Sequence, residues 1–141
     1  MRGSDTAVNA LAKVDLFSGL SPQDLQEVAA MAKELDFAAE EALTEEGTKG
    51  ARFYVLLEGE VDVCVGDDVV NKLGAGDSFG EISLIDGEPR SATIVARTPV
   101  RTLSLSSWNF RPLLREHPSI GEAVLLEMCR RLRTAQQSHL H

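Results

Sequence analysis

The hydrophobic period of this 141-residue chain changes twice, from helical to twofold and back, and few architectures accommodate that order. Ser21-Pro22-Gln23-Asp24 supplies an N-cap hydroxyl, a proline for the first helical position and an acid for the first turn. Leu25, Val28, Ala29 and Ala32 follow at i, i+3, i+4 and i+7, so the helix that starts there carries one apolar stripe. A shorter helix is expected from Val8 to Leu16, with Phe17-Ser18-Gly19-Leu20 as the hinge between the two. Met1-Arg2-Gly3-Ser4 has the look of a vector-derived leader and is given no part in the fold.

From about Leu35 to Leu105 the period is two, and turn residues recur at short intervals. Val61, Val63 and Val65 alternate with Asp62 and Cys64, which predicts one buried and one half-wet face. Around Phe53, Val55 and Leu57 the intervening Tyr54 and Leu56 are also apolar, which suits a strand covered on both sides. Glu58-Gly59-Glu60, Gly66-Asp67-Asp68 and Gly74-Ala75-Gly76-Asp77 are the turns. Short strands joined this tightly predict an antiparallel β roll of the jelly-roll kind.

The helical period then returns. Ser106 or Ser107 caps a short helix carrying Trp108, Phe110, Leu113 and Leu114, and His117-Pro118 ends it. Ser119 is expected to cap a longer helix in which Ile120, Val124, Met128 and Leu132 recur every four residues, widened by Leu125 and Cys129. Arg130, Arg131 and Arg133 suit the negative end of its dipole. The fold class is therefore mainly β with flanking α-helices. A single domain is expected over 1–141, with an N-terminal helical part at 1–34, the roll at 35–105 and C-terminal helices at 106–141. At 43% hydrophobic residues the chain has enough for one core.

Composition removes several functions. With 14 Lys and Arg against 22 Asp and Glu, the net charge of -8 repels polyanions, so direct nucleic-acid binding is not expected. No apolar run approaches the roughly 20 residues a bilayer span needs, and no secretory apolar segment opens the chain, so a cytoplasmic protein without membrane insertion is expected. Cys64 and Cys129 are too few for a disulfide framework or a thiolate metal site. An enzyme on a cupin-type barrel would need histidines and carboxylates clustered on strands, yet His117, His139 and His141 all lie outside the β region. Nucleophile-elbow, zincin and phosphate-loop motifs do not occur either. No catalytic or metal-binding residue is assigned, and the chain is read as a non-enzyme.

Residues 79–94 interrupt the β pattern. Phe79-Gly80-Glu81 followed by Ile82, Ser83, Leu84 and Ile85 suits one helical turn, which Asp86-Gly87-Glu88-Pro89 ends. A short helix inserted in a barrel offers its first N–H groups to an anion. Arg90 follows, whose planar guanidinium grips two phosphate oxygens at once, with the Ser91 hydroxyl beside it. The Glu81 carboxylate is acceptor-only and suits a ribose 2′-hydroxyl. Together these groups fit a ribose with phosphate attached.

This segment resembles the phosphate-binding cassette of cyclic-nucleotide-binding domains, through Phe79, Gly80, Glu81, Ser83, Leu84, Pro89, Arg90, Ser91, Ala92 and Thr93. Leu56-Leu57-Glu58-Gly59-Glu60-Val61, Leu73-Gly74-Ala75-Gly76-Asp77 and Phe17-Ser18-Gly19-Leu20-Ser21 are similar to other parts of that family's pattern, extending it from about Leu11 to Gln136. The resemblance implies a β roll with a C-terminal lid helix that a ligand repositions. The ligand expected is 3′,5′-cyclic AMP, by a modest margin over cyclic GMP because it is the commoner bacterial signal, and no further cofactor is expected. It implies ligand contacts from Phe79, Gly80, Glu81, Ile82, Ser83, Arg90, Ser91 and Ala92. In the bacterial activator a Thr-Ser pair on the last helix reads adenine; here Ala135 and Gln136 stand there, and Gln136, Val70 and Asn71 are the candidate base contacts. Partners expected are the nucleotide itself and a second copy or an effector domain through the C-terminal helix. A catabolite-activator-type transcription factor is a rival, but no helix-turn-helix length follows the long helix. A ligand-free interaction member of the same fold, or an excised regulatory module of a transcription factor, enzyme or transporter, are the alternatives.

Overall fold

The computed structural model describes residues 2–44, 52–88 and 92–140. Their contacts divide them into two compact units, one from the described parts of Met1–Ala30 and Pro112–His141, the other from those of Met31–Arg111.

In the first unit, helix α1 runs from Arg2 to Ala12 and a single 3-10 turn covers Asp15–Phe17. The expected Val8 to Leu16 helix is therefore shifted and split, and α1 takes in residues set aside as a leader. The break has a packing reason. Ala7 and Leu11 share one helical face, whereas the adjacent Leu16 and Phe17 bury together only because Val14 turns extended, at φ -82° and ψ 125°. Helix α2, Pro22–Ala29, begins where expected, with the Ser21 hydroxyl accepting the Asp24 amide at 3.1 Å. It stops before Ala32, which is half-buried beyond its end.

Helix α5, Pro118–Leu140, differs from expectation in three ways. Pro118 is its first residue, so Ser119 sits inside the first turn and its hydroxyl contacts Asp24 Oδ2 at 2.6 Å instead of capping. The buried face is Ile120, Val124 and Glu127, while Leu125 and Leu132 are 63% and 61% exposed. Steps of four residues advance about 40° each around a helix of 3.6 residues per turn, so the expected stripe walks off the buried face by Leu132. Because α5 continues to Leu140, Arg130 and Arg131 lie mid-helix and pair with Glu127, at 3.0 and 3.6 Å, instead of meeting a helix end.

Among the described residues the second unit holds eight strands: β1 Lys33–Phe37, β2 Ala42–Thr44, β3 Arg52–Glu58, β4 Val61–Val65, β5 Asp68–Leu73, β6 Ser78–Phe79, β7 Thr93–Ala96 and β8 Val100–Ser106. They form two antiparallel sheets, ordered β1-β8-β3-β6 and β2-β7-β4-β5. This is the antiparallel roll the twofold period predicts. The core draws Leu56 and Val100 from the first sheet and Leu43, Val61, Ile94 and Ala96 from the second. Phe53 to Leu56 are all buried, as a strand covered on both faces requires. On β4 the expectation fails at two positions: Asp62 is buried and Val65 is 45% exposed. A partner for Asp62 makes its burial tolerable, and Val65 sits opposite Asp68 at the turn end of the β4–β5 hairpin, where both residues are exposed. Helix α3, Glu81–Asp86, follows β6, and helix α4, Ser107–Glu116, follows β8 with the Ser106 hydroxyl accepting the Asn109 amide at 3.3 Å.

Candidate functional site

The site begins at a pinned turn. The Asp77 carboxylate accepts the Gly74 amide at 2.9 Å, and the same turn exchanges backbone bonds with Leu56 of β3. This delivers β6 against β3 with Phe79 opposite Tyr54, their rings stacked at 5.2 Å. Phe37 meets the Tyr54 ring edge-on at 6.0 Å, which fixes the aromatic stack from the other side. Gly80 then turns the chain from strand to helix at φ 91°, a left-handed conformation in which a side chain would be strained. Its carbonyl accepts the Leu84 amide at 2.9 Å, and the fully buried Leu84 anchors α3 below.

Helix α3 is short and closed at its far end. Gly87 caps it with its amide on the Ser83 carbonyl, and Asp86 accepts the Glu88 amide at 2.9 Å. The N–H groups of Ile82 and Ser83 lie in the first turn, where no helical carbonyl is available to them.

A cleft of about 490 Å³ opens beside this turn, within the range of small-molecule sites. Gly80, Glu81, Ile82 and Ser83 line one part of it, with Ser78 and Phe79 of β6. The remainder comes from the second sheet. Register places Asn71 opposite Val63, Val63 opposite Ile94 and Ile94 opposite Thr44, so one row crosses β5, β4, β7 and β2 on a single face. All four residues of that row line the cleft, joined by Leu73 and Ala92. The Thr44 hydroxyl donates to the Ala92 carbonyl at 3.3 Å, tying the floor to the residue just before β7.

The expected ligand residues thus divide. Phe79, Gly80, Glu81, Ile82, Ser83, Ala92 and Asn71 gather around one cleft. Arg90 and Ser91 lie outside the described residues. Val70 is the extra residue of a bulge, since Cys64 pairs with Val69 and Val63 with Asn71, and it points outward at 58% exposure. Gln136 is exposed on α5 in the other unit. Thr44, Val63, Leu73, Ser78 and Ile94 were not singled out by the sequence; their signal is the shared face, which appears only once strand register is known. Among the described residues, no group of three or more His, Cys, Asp or Glu side chains is placed to hold a metal ion, and no helix is long and apolar enough to cross a membrane.

The profile of the cyclic nucleotide-binding domain matches residues 34–117, more than half of the chain. This protein belongs to the cyclic nucleotide-binding domain family. It is 39% identical over 112 residues, 79% of its length, to a cyclic nucleotide-gated potassium channel of Mesorhizobium japonicum, and spans 31% of that protein. It is 28% identical over 128 residues to the CRP-like cAMP-activated global transcriptional regulator of Mycobacterium tuberculosis, of which it spans 57%. Among solved structures, the N-terminal domain of a transcriptional regulator from Streptomyces coelicolor superposes with a TM-score of 0.85 at 32% identity, over 94% of this chain and 96% of that one.

Proposed function

We propose that the chain is a non-catalytic sensor that binds a 3′,5′-cyclic nucleotide in the cleft beside α3 and transmits occupancy through α5. The observation that carries this reading is the convergence of Gly80, Glu81, Ile82 and Ser83 with the Thr44–Ile94–Val63–Asn71 row on one cavity of ligand size. Phosphate is held by the Ile82 and Ser83 amides with Arg90 and Ser91, and the Glu81 carboxylate accepts the ribose 2′-hydroxyl. Val63, Leu73 and Ile94 offer the base an apolar wall. Cyclic AMP is favoured over cyclic GMP, a preference supported by the relative named as cAMP-activated. No cofactor beyond the ligand is invoked.

Titration calorimetry tests the assignment. Arg90→Ala removes one partner of a charge pair and should weaken cyclic AMP binding roughly 30-fold to several thousand-fold. Affinity equal to the parent's would falsify the phosphate assignment. A 2′-deoxy analogue should bind the parent chain much more weakly than cyclic AMP, yet nearly as well as cyclic AMP to Glu81→Ala, because only the carboxylate distinguishes them.

A further inference from the structure

Another cavity, of about 470 Å³, lies within the helical unit. Asp15 and Ser18 supply one side of it, from the 3-10 turn and the residue that follows. Glu127, Arg130, Arg131 and Thr134 supply the other, at i, i+3, i+4 and i+7 on α5, which is one helical face. Every lining residue is polar, so the space is wet, and only a ligand that replaces the hydrogen bonds of that water gains by entering. Both oxygens of the Glu127 carboxylate are engaged. The Ser18 hydroxyl donates to Oε1 at 3.4 Å, Arg130 Nη1 stands 3.0 Å from the same oxygen, and Arg131 Nε stands 3.6 Å from Oε2. Two guanidinium groups against one carboxylate leave a surplus positive charge on the α5 side, with further N–H donors on Arg130. The Asp15 carboxylate, on the other side, has no hydrogen-bond or ion-pair partner among the described residues.

We propose that this cavity is an accessory site for a small zwitterion of the amino-acid class, a molecule that carries both a carboxylate and an ammonium group. The ligand carboxylate accepts from Arg130, whose planar fork matches two oxygens, and the ammonium donates to Asp15. Neither charge fits as well alone. A lone anion meets Asp15 and a chain of net charge -8, and a lone cation meets two arginines. A zwitterion satisfies both sides and brings no net charge. Once bound it bridges the 3-10 turn to α5, in parallel with the Ser18 to Glu127 contact. None of these residues lines the cleft beside α3, so the proposal stands apart from the reading of that cleft.

The test is calorimetry on the whole chain with glycine, β-alanine, γ-aminobutyrate, glutamine and lysine, and with acetate and methylammonium as single-charge controls. At least one of the five zwitterions should bind with millimolar affinity or tighter, and both controls at least about tenfold more weakly. Asp15→Asn and Arg130→Gln each remove one charge from an exposed side chain, and each should weaken that zwitterion about tenfold or more. Arg130→Lys, which keeps the charge without the fork, should recover part of the loss. Because Asp15 has no side-chain partner among the described residues, its variant changes the site without removing a contact that holds the fold. The inference is overturned if none of the five binds at about 10 mM, if acetate binds as tightly as the zwitterion, or if Asp15→Asn keeps the parent's affinity.

Discussion

Arg97, the residue after β7, donates through Nε to the carboxylate of Asp62, a β4 side chain that is 3% exposed. Its backbone amide donates to the Glu60 carbonyl at 2.8 Å, which holds the guanidinium in reach, and Nη1 lies 3.4 Å from Glu40. The hydrogen bond and charge of Asp62, with a smaller contribution from Glu40, raise the Arg97 pKa above its ordinary value. A raised cationic pKa contributes stability below the unfolded value and loses it only as pH climbs through the folded one, far above neutrality. The guanidinium therefore stays charged throughout the neutral range.

Burial is unequal across this pair, since the Arg97 side chain is 45% exposed. Losing Arg97 strands a buried carboxylate, whereas losing the Asp62 charge leaves Arg97 able to turn to water. Arg97→Ala should thus lower the urea midpoint more than Asp62→Asn, and the double variant should lose less than the sum of the two. Equal single losses that add would show that the burial asymmetry has no energetic meaning.

Gly59 turns the β3–β4 hairpin at φ 96°, and a Cβ there would lie 2.5 Å from the Pro99 carbonyl oxygen and 2.9 Å from Thr98 Oγ1. Gly59→Ala meets both penalties at once. The left-handed conformation alone costs roughly 1 to 2 kcal/mol, and the backbone clash adds to it, so melting should fall by about 5 °C or more. A scanning-calorimetry shift of under one degree would contradict this close approach.

Thr44 links the cleft floor to Ala92 by its hydroxyl, at 3.3 Å. Thr44→Val keeps the shape and removes the donor, which should cost about 1 kcal/mol of stability. Because Ala92 immediately follows Arg90 and Ser91, nucleotide affinity should also weaken, by about threefold to tenfold, and Thr44→Ser should restore it. Stability lost with affinity untouched would confine Thr44 to the fold.

Features that depend on neighbours along the chain are legible in the sequence itself. The Ser21 cap of α2, the doubly buried β3 and the short helix after Gly80 each follow from spacing within a few residues. What depends on pairing between distant segments is not. Asp62 reads as wet until Arg97, 35 residues away, is found against it. Val70 and Asn71 read alike until the bulge opposite Cys64 sends one outward and the other into the cleft. The stripe on α5 fails for a different reason: Glu127 occupies the buried face because Ser18, at 3.4 Å, and two arginines satisfy its carboxylate.

That same carboxylate bears on how α5 responds to ligand. Within the helical unit, α5 and the segment before it are tied to the N-terminal part by Ser18 to Glu127, by Ser119 to Asp24 at 2.6 Å, and by His117 to Glu27 at 3.7 Å. A ligand repositions a helix only if it binds one arrangement better than the other. With three polar ties in place, any arrangement that moves α5 must carry α2 with it or break those ties. Hydrogen exchange with saturating cyclic AMP should therefore change protection over residues 119–136 and over 15–29 together. A change confined to 119–136 would mean the ties break on binding, and no change in either segment would make α5 a fixed support.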